Sequence, residues 1–196
     1  PGHHRIVRRV EPIHNPQPTP LFPRFRDVFT KLRAWENDDF DKLVYLDADT
    51  LVLQNVDDLF ERPALSAAPD FLLPDHFNSG VMVLEPSRSE LDAMLVALER
   101  AGSYDGGDQG FLNEYFDWYA LPPEHRLPMG YNTHHFIYQF LRSHPILHKE
   151  LSRIRIVHYT VQKPWANRPL PLLTGGADVW WQTWFDHYRA FIINFA

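Results

Sequence analysis

The stretch Leu43-Val-Tyr-Leu-Asp47-Ala-Asp49-Thr-Leu-Val-Leu53 decides how this chain is read. Its first four apolar residues are too few for a helix and rich in β-favouring types, so they predict a central strand. Thr50 to Leu53 predicts a second, short strand. In an extended chain, residues i and i+2 share a face. If that geometry persists to the strand's end, Asp47 and Asp49 point the same way at the carboxyl edge of a sheet, where open α/β sheets bind ligands. Two carboxylates there repel unless a cation lies between them, and hard oxygen donors suit Mg²⁺ or Mn²⁺. One reading is a divalent metal that grips a diphosphate. The other is a pair of solvated aspartates that cap turns. This stretch alone does not choose between them.

Composition narrows the classes. The chain has 196 residues, 44% hydrophobic and 22% charged, enough for one globular domain with a sizeable core. A formal net charge of −6 argues against a nucleic-acid-binding surface. The absence of cysteine excludes disulfides, zinc–thiolate sites and cysteine nucleophiles. No apolar run approaches the ~20 residues needed to span a bilayer, and no targeting segment is visible at the start.

Outward from the central stretch, residues 6–13 predict a short strand and residues 26–40 an amphipathic helix, with Val28, Leu32 and Trp35 at i, i+4 and i+7. Residues 56–60 predict a helical turn entered at Asn55, and residues 65–68 an extended segment ended by Pro69. Phe77-Asn-Ser-Gly-Val-Met-Val-Leu84 reads as a loop running into a strand. Ser87-x-x-Glu90 is a capping-box signature for the helix that follows. Tyr104-Asp-Gly-Gly-Asp-Gln-Gly110 predicts a tight turn opening a second amphipathic segment. Residues 126–132 predict a strand and residues 154–157 a strand ending in His158, while residues 136–141 are ambiguous between a helix and other structure. A proline-rich stretch and an aromatic helix over 179–195 close the chain. Alternating strands and helices predict an α/β layered fold with a mixed sheet.

Several side chains join the aspartates as candidates. His158 could be a third metal ligand, since imidazole beside two carboxylates is compatible with Mn²⁺ and would also suit Fe²⁺ or Zn²⁺; a lone strand-end histidine is more often structural. Lys163 could meet a phosphate as a point charge, or be a solvated loop residue. Metal and lysine on one diphosphate would neutralise a leaving group. Asp105, Asp108 and Gln109 offer carboxylates and an amide beside glycines that let a ligand approach the backbone; the plainer reading is a turn followed by a helix cap at Asp108. Asn78 and Ser79 could hydrogen-bond a sugar or satisfy a turn, and Lys31 could reach a phosphate or be solvated. A haloacid-dehalogenase-like phosphatase also opens on an apolar strand and Asp-x-Asp-x-Thr, with the first Asp as nucleophile. It needs a later Gly-Asp-x-x-x-Asp-like motif, and Gly107-Asp108 lacks the second acid, so this rival explains fewer residues.

Taken in order, these segments resemble glycosyltransferase family 8, in its glycogenin-like branch. The likeness is carried by Phe29-Thr-Lys-Leu-Arg-Ala-Trp35, Val44 through Phe60, Phe77-Asn-Ser-Gly-Val81, Asp105 through Gly110, Tyr131-Asn132 and His158-Tyr-x-x-x-Lys163-Pro-Trp165, over roughly residues 5–170. The resemblance implies a GT-A (Rossmann-like) fold over residues 1–170, followed by a C-terminal loop and aromatic helix over 171–196. The family's first strand–helix unit has no counterpart, so the domain is expected to be N-terminally incomplete. It implies retaining transfer of a hexose, glucose first, from a UDP-sugar to an acceptor hydroxyl on a carbohydrate, protein or lipid head group. Asp47, Asp49 and His158 would bind Mn²⁺, with Mg²⁺ as the alternative. Lys31 and Lys163 would meet the donor's phosphates or sugar. Asn78, Ser79, Asp105, Asp108 and Gln109 would surround the donor sugar, Asp108 closest to the catalytic role. A homodimer is compatible with the resemblance. The cytoplasm is expected if the chain is glycogenin-like, the Golgi lumen if it follows the plant relatives. The family's glycine between His158 and Lys163 is replaced by Thr160, Val161 and Gln162, and Tyr138 falls one residue off the self-glucosylated tyrosine. The alternative function is a catalytically inactive, truncated GT-A binding module.

Overall fold

The computed structural model describes residues 6–17, 25–100, 103–160 and 163. Two three-stranded sheets organise them. The first contains β1 (Leu43–Leu46), β3 (Ser66–Pro69) and β4 (Phe77–Leu84), in the order β1-β4-β3 with antiparallel neighbours. The second contains β2 (Thr50–Val52), β5 (Thr133–His134) and β6 (Ile156–His158), in the order β2-β6-β5. There β2 runs antiparallel to β6 and β5 parallel to it. Four helices accompany them: α1 (Arg88–Leu98), α2 (Asp108–Tyr115), α3 (His135–Ser143) and α4 (His148–Leu151). The mixed, helix-flanked α/β architecture agrees with the pattern of the sequence.

The central strand is β4, not β1. All eight β4 residues are buried, whereas all four of β1 are half-buried at the outer position of the sheet. Burial on both faces explains the unbroken Val81-Met-Val-Leu84 run. Alternate side chains serve different layers. Met82 and Leu84 join Phe29, Leu32, Trp35, Leu91, Met94 and Phe111 in the largest core, while Val81 and Val83 pack with Leu59, Ala68, Leu127 and Ile156 toward the second sheet. Tyr138, Ile154, Val157 and Tyr159 form a third cluster.

Four other expectations are corrected. Residues 6–13 form no strand. The helix expected over 26–40 is a 3₁₀ helix, Val28–Glu36, that buries Phe29, Leu32 and Trp35. That spacing of three follows the three-residue turn of a 3₁₀ helix, in which i and i+3 eclipse. Asn55 precedes a 3₁₀ turn at Asp57–Glu61, whose N-cap is Val56; its side-chain oxygen accepts from Asp57 N–H at 3.0 Å. Residues 126–132 hold a single bridge, Ala67 to Arg126, and a 3₁₀ turn, Met129–Tyr131, rather than a strand.

Other readings hold. Ser87 is the N-cap of α1 and its hydroxyl accepts from Glu90 N–H. The ambiguity at residues 136–141 resolves to a helix within α3, and β6 ends on His158. The aromatic helix expected over 179–195 lies outside the described residues. Among those described, no helix is long and apolar enough to cross a membrane.

Candidate active site

Asp47 and Asp49 come together by a turn, not by strand alternation. The chain leaves β1 at Leu46 and turns through residues 47–49 before β2 begins at Thr50. The Thr50 N–H and hydroxyl both donate to the Asp47 carbonyl, at 3.0 and 2.7 Å. Each aspartate is fixed to a different sheet. Asp47 N–H donates to the carbonyl of Gly80, within β4, at 2.8 Å, and the N–H of Tyr159, which follows β6, donates to the Asp49 carbonyl at 2.9 Å.

His158, at the end of β6, meets both carboxylates. Its Nε2 lies 3.2 Å from Asp49 Oδ1 and 3.7 Å from Asp47 Oδ2. One ligand atom from each of the three residues falls within 4.8 Å of the others. The ring's orientation can be deduced from a backbone group. Gly80 N–H donates to Asn78 Oδ1 at 3.0 Å, so that oxygen is an acceptor. Asn132 must then approach it with Nδ2, at 2.8 Å, which turns Asn132 Oδ1 toward His158 Nδ1, 2.9 Å away. Nδ1 therefore carries a hydrogen, and Nε2 is the ring nitrogen that faces the aspartates. Two carboxylate oxygens and a nitrogen oriented through its other ring atom could hold a divalent cation.

A second set of groups adjoins the first through Lys31. Its ammonium is buried, lies 3.1 Å from Asp47 Oδ1, donates to Ser79 Oγ at 2.9 Å, and forms an ion pair with Asp108. Burial opposes its charge, but the Asp108 and Asp47 carboxylates outweigh burial and raise its pKa. Lys31 thus serves the protein's own carboxylates, with its three donors occupied. Lys163 pairs with Asp49 and donates to the Tyr159 and Thr160 carbonyls at 2.9 and 3.1 Å. Burial would raise the Asp49 carboxyl, yet His158 and Lys163 hold it well below the usual carboxylate range.

The polar contacts close into a ring. Ser79 Oγ donates to Asp108 at 3.0 Å, and Ser79 N–H to Gln109 Oε1 at 3.3 Å. Gln109 and Asn78 both donate to Asp70 Oδ2, at 3.1 and 3.2 Å, and Asn78 leads through Asn132 back to His158. Nine candidates read from the sequence are in this ring or attached to it: Lys31, Asp47, Asn78, Ser79, Asp108, Gln109, His158, Asp49 and Lys163. Asp105 stands apart. Its Oδ1 accepts from Ser103 Oγ and from the Gly107 and Gly110 N–H groups at 2.7, 2.8 and 3.0 Å, so it holds the glycine turn that opens α2. Asp108 is the first residue of α2, with Gly107 as its N-cap.

Three participants went unread in the sequence. Asp70, after Pro69, carried only a turn signal. Asn132 stood in a quoted motif without a role. Tyr45, taken as a core strand residue, donates to Asp47 Oδ1 at 2.9 Å.

No protein-family model matches the chain. Glycogenin-1 of Caenorhabditis elegans is 46% identical over 141 residues, 70% of this chain and 32% of the worm protein. The putative UDP-glucuronate:xylan alpha-glucuronosyltransferase 5 of Arabidopsis thaliana is 41% identical over 163 residues, 81% of this chain and 26% of the plant protein. The chain therefore spans about a third of the worm protein's length and about a quarter of the plant protein's. Among solved structures, the glycosyltransferase GlyE of Streptococcus pneumoniae shares the fold with a TM-score of 0.57 at 24% identity, over 80% of this chain and 43% of the bacterial one.

Proposed function

Because this chain is a glycogenin-like member of glycosyltransferase family 8, we propose that it serves a metal-dependent, retaining transfer of a hexose, glucose first, from a UDP-sugar to an acceptor hydroxyl. The observation that carries this reading is the convergence of Asp47, Asp49 and His158, with ligand atoms mutually within 4.8 Å. Mn²⁺ is the ion we favour, with Mg²⁺ as the alternative. When bound, such a cation neutralises charge on a diphosphate leaving group.

The chain's own residues would do the rest. Asn132 holds the His158 ring with Nε2 facing the aspartates. Lys163, already at Asp49, adds a positive charge where a diphosphate would lie. Lys31 holds Asp47 and Asp108 close together. Asp108 is then the carboxylate best placed to face the donor sugar, beside Ser79 and Gln109, while Asp105 shapes the turn that presents it.

Titration of the chain with Mn²⁺ and then UDP-glucose tests this reading. Wild type should bind UDP-glucose only with the ion present, and Asp49→Asn should abolish that binding. Unchanged binding in the variant would sink the metal assignment.

A further inference from the structure

Tyr45 carries a hydroxyl where a plain phenyl ring would fill the same space. It lies in β1, half-buried, with its ring packed against the largest core. The β1–β4 ladder continues one residue past the strand, from Asp47 N–H to the Gly80 carbonyl. Tyr45 and Asp47 therefore share a face of the sheet. The phenol uses that placement to donate to Asp47 Oδ1 at 2.9 Å.

This bond distinguishes the two oxygens of one carboxylate. Lys31 does not, because its Nζ lies 3.1 Å from Asp47 Oδ1 and 3.3 Å from Oδ2. The contact with His158 is made by the other oxygen, with Nε2 3.7 Å from Oδ2. Among the described residues, Tyr45 is thus the group that occupies Oδ1 alone and leaves Oδ2 to the candidate metal site. The hydroxyl is a donor, and a carboxylate oxygen that accepts from it has less electron density to offer a cation.

How many oxygens a carboxylate offers matters to the ion. Ca²⁺ takes about six to eight oxygens in flexible geometry and accepts a carboxylate through one oxygen or both, whereas Mg²⁺ demands a near-ideal octahedron and Mn²⁺ also favours one. We propose that Tyr45 is a positioning residue that restricts Asp47 to one-oxygen coordination, and that this restriction makes the site select Mn²⁺ over Ca²⁺. The inference rests on the metal reading above and adds to it a residue that sets ion choice without touching the ion. Tyr45→Phe keeps the ring and its packing but frees Oδ1 to join Oδ2 on a larger ion.

The test is calorimetric titration of the full chain with Mn²⁺ and with Ca²⁺ in separate arms. Wild type should bind Mn²⁺ the more tightly. In Tyr45→Phe the ratio of Mn²⁺ to Ca²⁺ affinity should fall by about tenfold, the worth of one hydrogen bond to a charged group. Mn²⁺ should bind more weakly because Asp47 is less firmly held, while Ca²⁺ should bind as well as before or better. Asn132→Ala, which acts through His158, should weaken both ions and leave their ratio at the wild-type value. Equal affinities in wild type overturn the proposal. So does a Tyr45→Phe variant that weakens both ions by the same factor, which would make the hydroxyl a structural support only, and so does an Asn132→Ala variant whose ratio falls as far as that of Tyr45→Phe. A wild type that binds neither ion overturns the metal reading itself, and that result is seen before any variant is made.

Discussion

Asn132 Oδ1 stands 2.9 Å from His158 Nδ1, and this contact decides which nitrogen of the histidine faces the two aspartates. The decision originates in the Gly80 N–H, which cannot act as an acceptor. It passes through Asn78 and Asn132 to the imidazole.

Removing that support should weaken metal binding without removing a ligand. For Asn132→Ala, Mn²⁺ affinity measured by calorimetric titration should fall by about 10–100-fold, the usual cost of losing an outer partner of a metal-binding histidine. An unchanged affinity would show that packing alone orients His158.

Gly80→Ala should disturb the same ring sterically. A Cβ at position 80 would overlap Cε1 and Nδ1 of His158, and a glycine within a strand often marks such a close approach. Overpacking of this kind costs about 1–3 kcal/mol, readable as a lower urea midpoint, together with weaker Mn²⁺ binding. A variant with wild-type values for both would contradict the close packing of strand and ring.

Lys31→Met should be among the most damaging single substitutions. It leaves Asp47 and Asp108 without their shared cation, and breaking a buried charge pair costs about 3–5 kcal/mol. Denaturant unfolding measures this directly. Lys31→Arg is not expected to restore it, because the ammonium serves Asp47, Asp108 and Ser79 from a single atom and a planar guanidinium cannot.

Asp70 gives a pH dependence. Burial alone would raise its pKa, but hydrogen bonds from Leu72, Asn78, Gln109 and Leu73 outweigh burial and lower it. The unfolded chain therefore takes up the proton at higher pH than the folded one. The stabilisation is complete above the ordinary aspartate pKa of about 3.9 and is lost as pH falls through the lower folded value. Urea midpoints measured between pH 7 and pH 3 should drop less steeply in Asp70→Asn than in wild type.

What could be read in advance depended on whether a residue's role was local. The Leu43–Leu46 strand, the Ser87 cap and the His158 strand end are set by their neighbours in sequence, and they were legible. Phe29, Leu32 and Trp35 were nearly so, but apolar spacings of three and four coexist in that segment, and tertiary packing selected three. Asp47 and Asp49 were grouped correctly for a reason the structure replaces, since a turn and not strand parity brings them together. The link from Asn132 to Asn78 crosses 54 positions. Such a pairing leaves no periodicity, and neither asparagine reveals which of its two side-chain ends is in use.

The turn at residues 47–49 lies where the two sheets meet, with Asp47 fastened to one and Asp49 to the other. A ligand that needs Asp47, Asp49 and His158 at once can bind only when the sheets are aligned. Its binding free energy therefore belongs to the alignment as well as to the site. Added Mn²⁺ should make both sheets unfold in one transition, with a midpoint that rises with ion concentration. In that respect the turn works as a clasp between two halves of the fold, and occupancy at the clasp becomes a property of the whole domain.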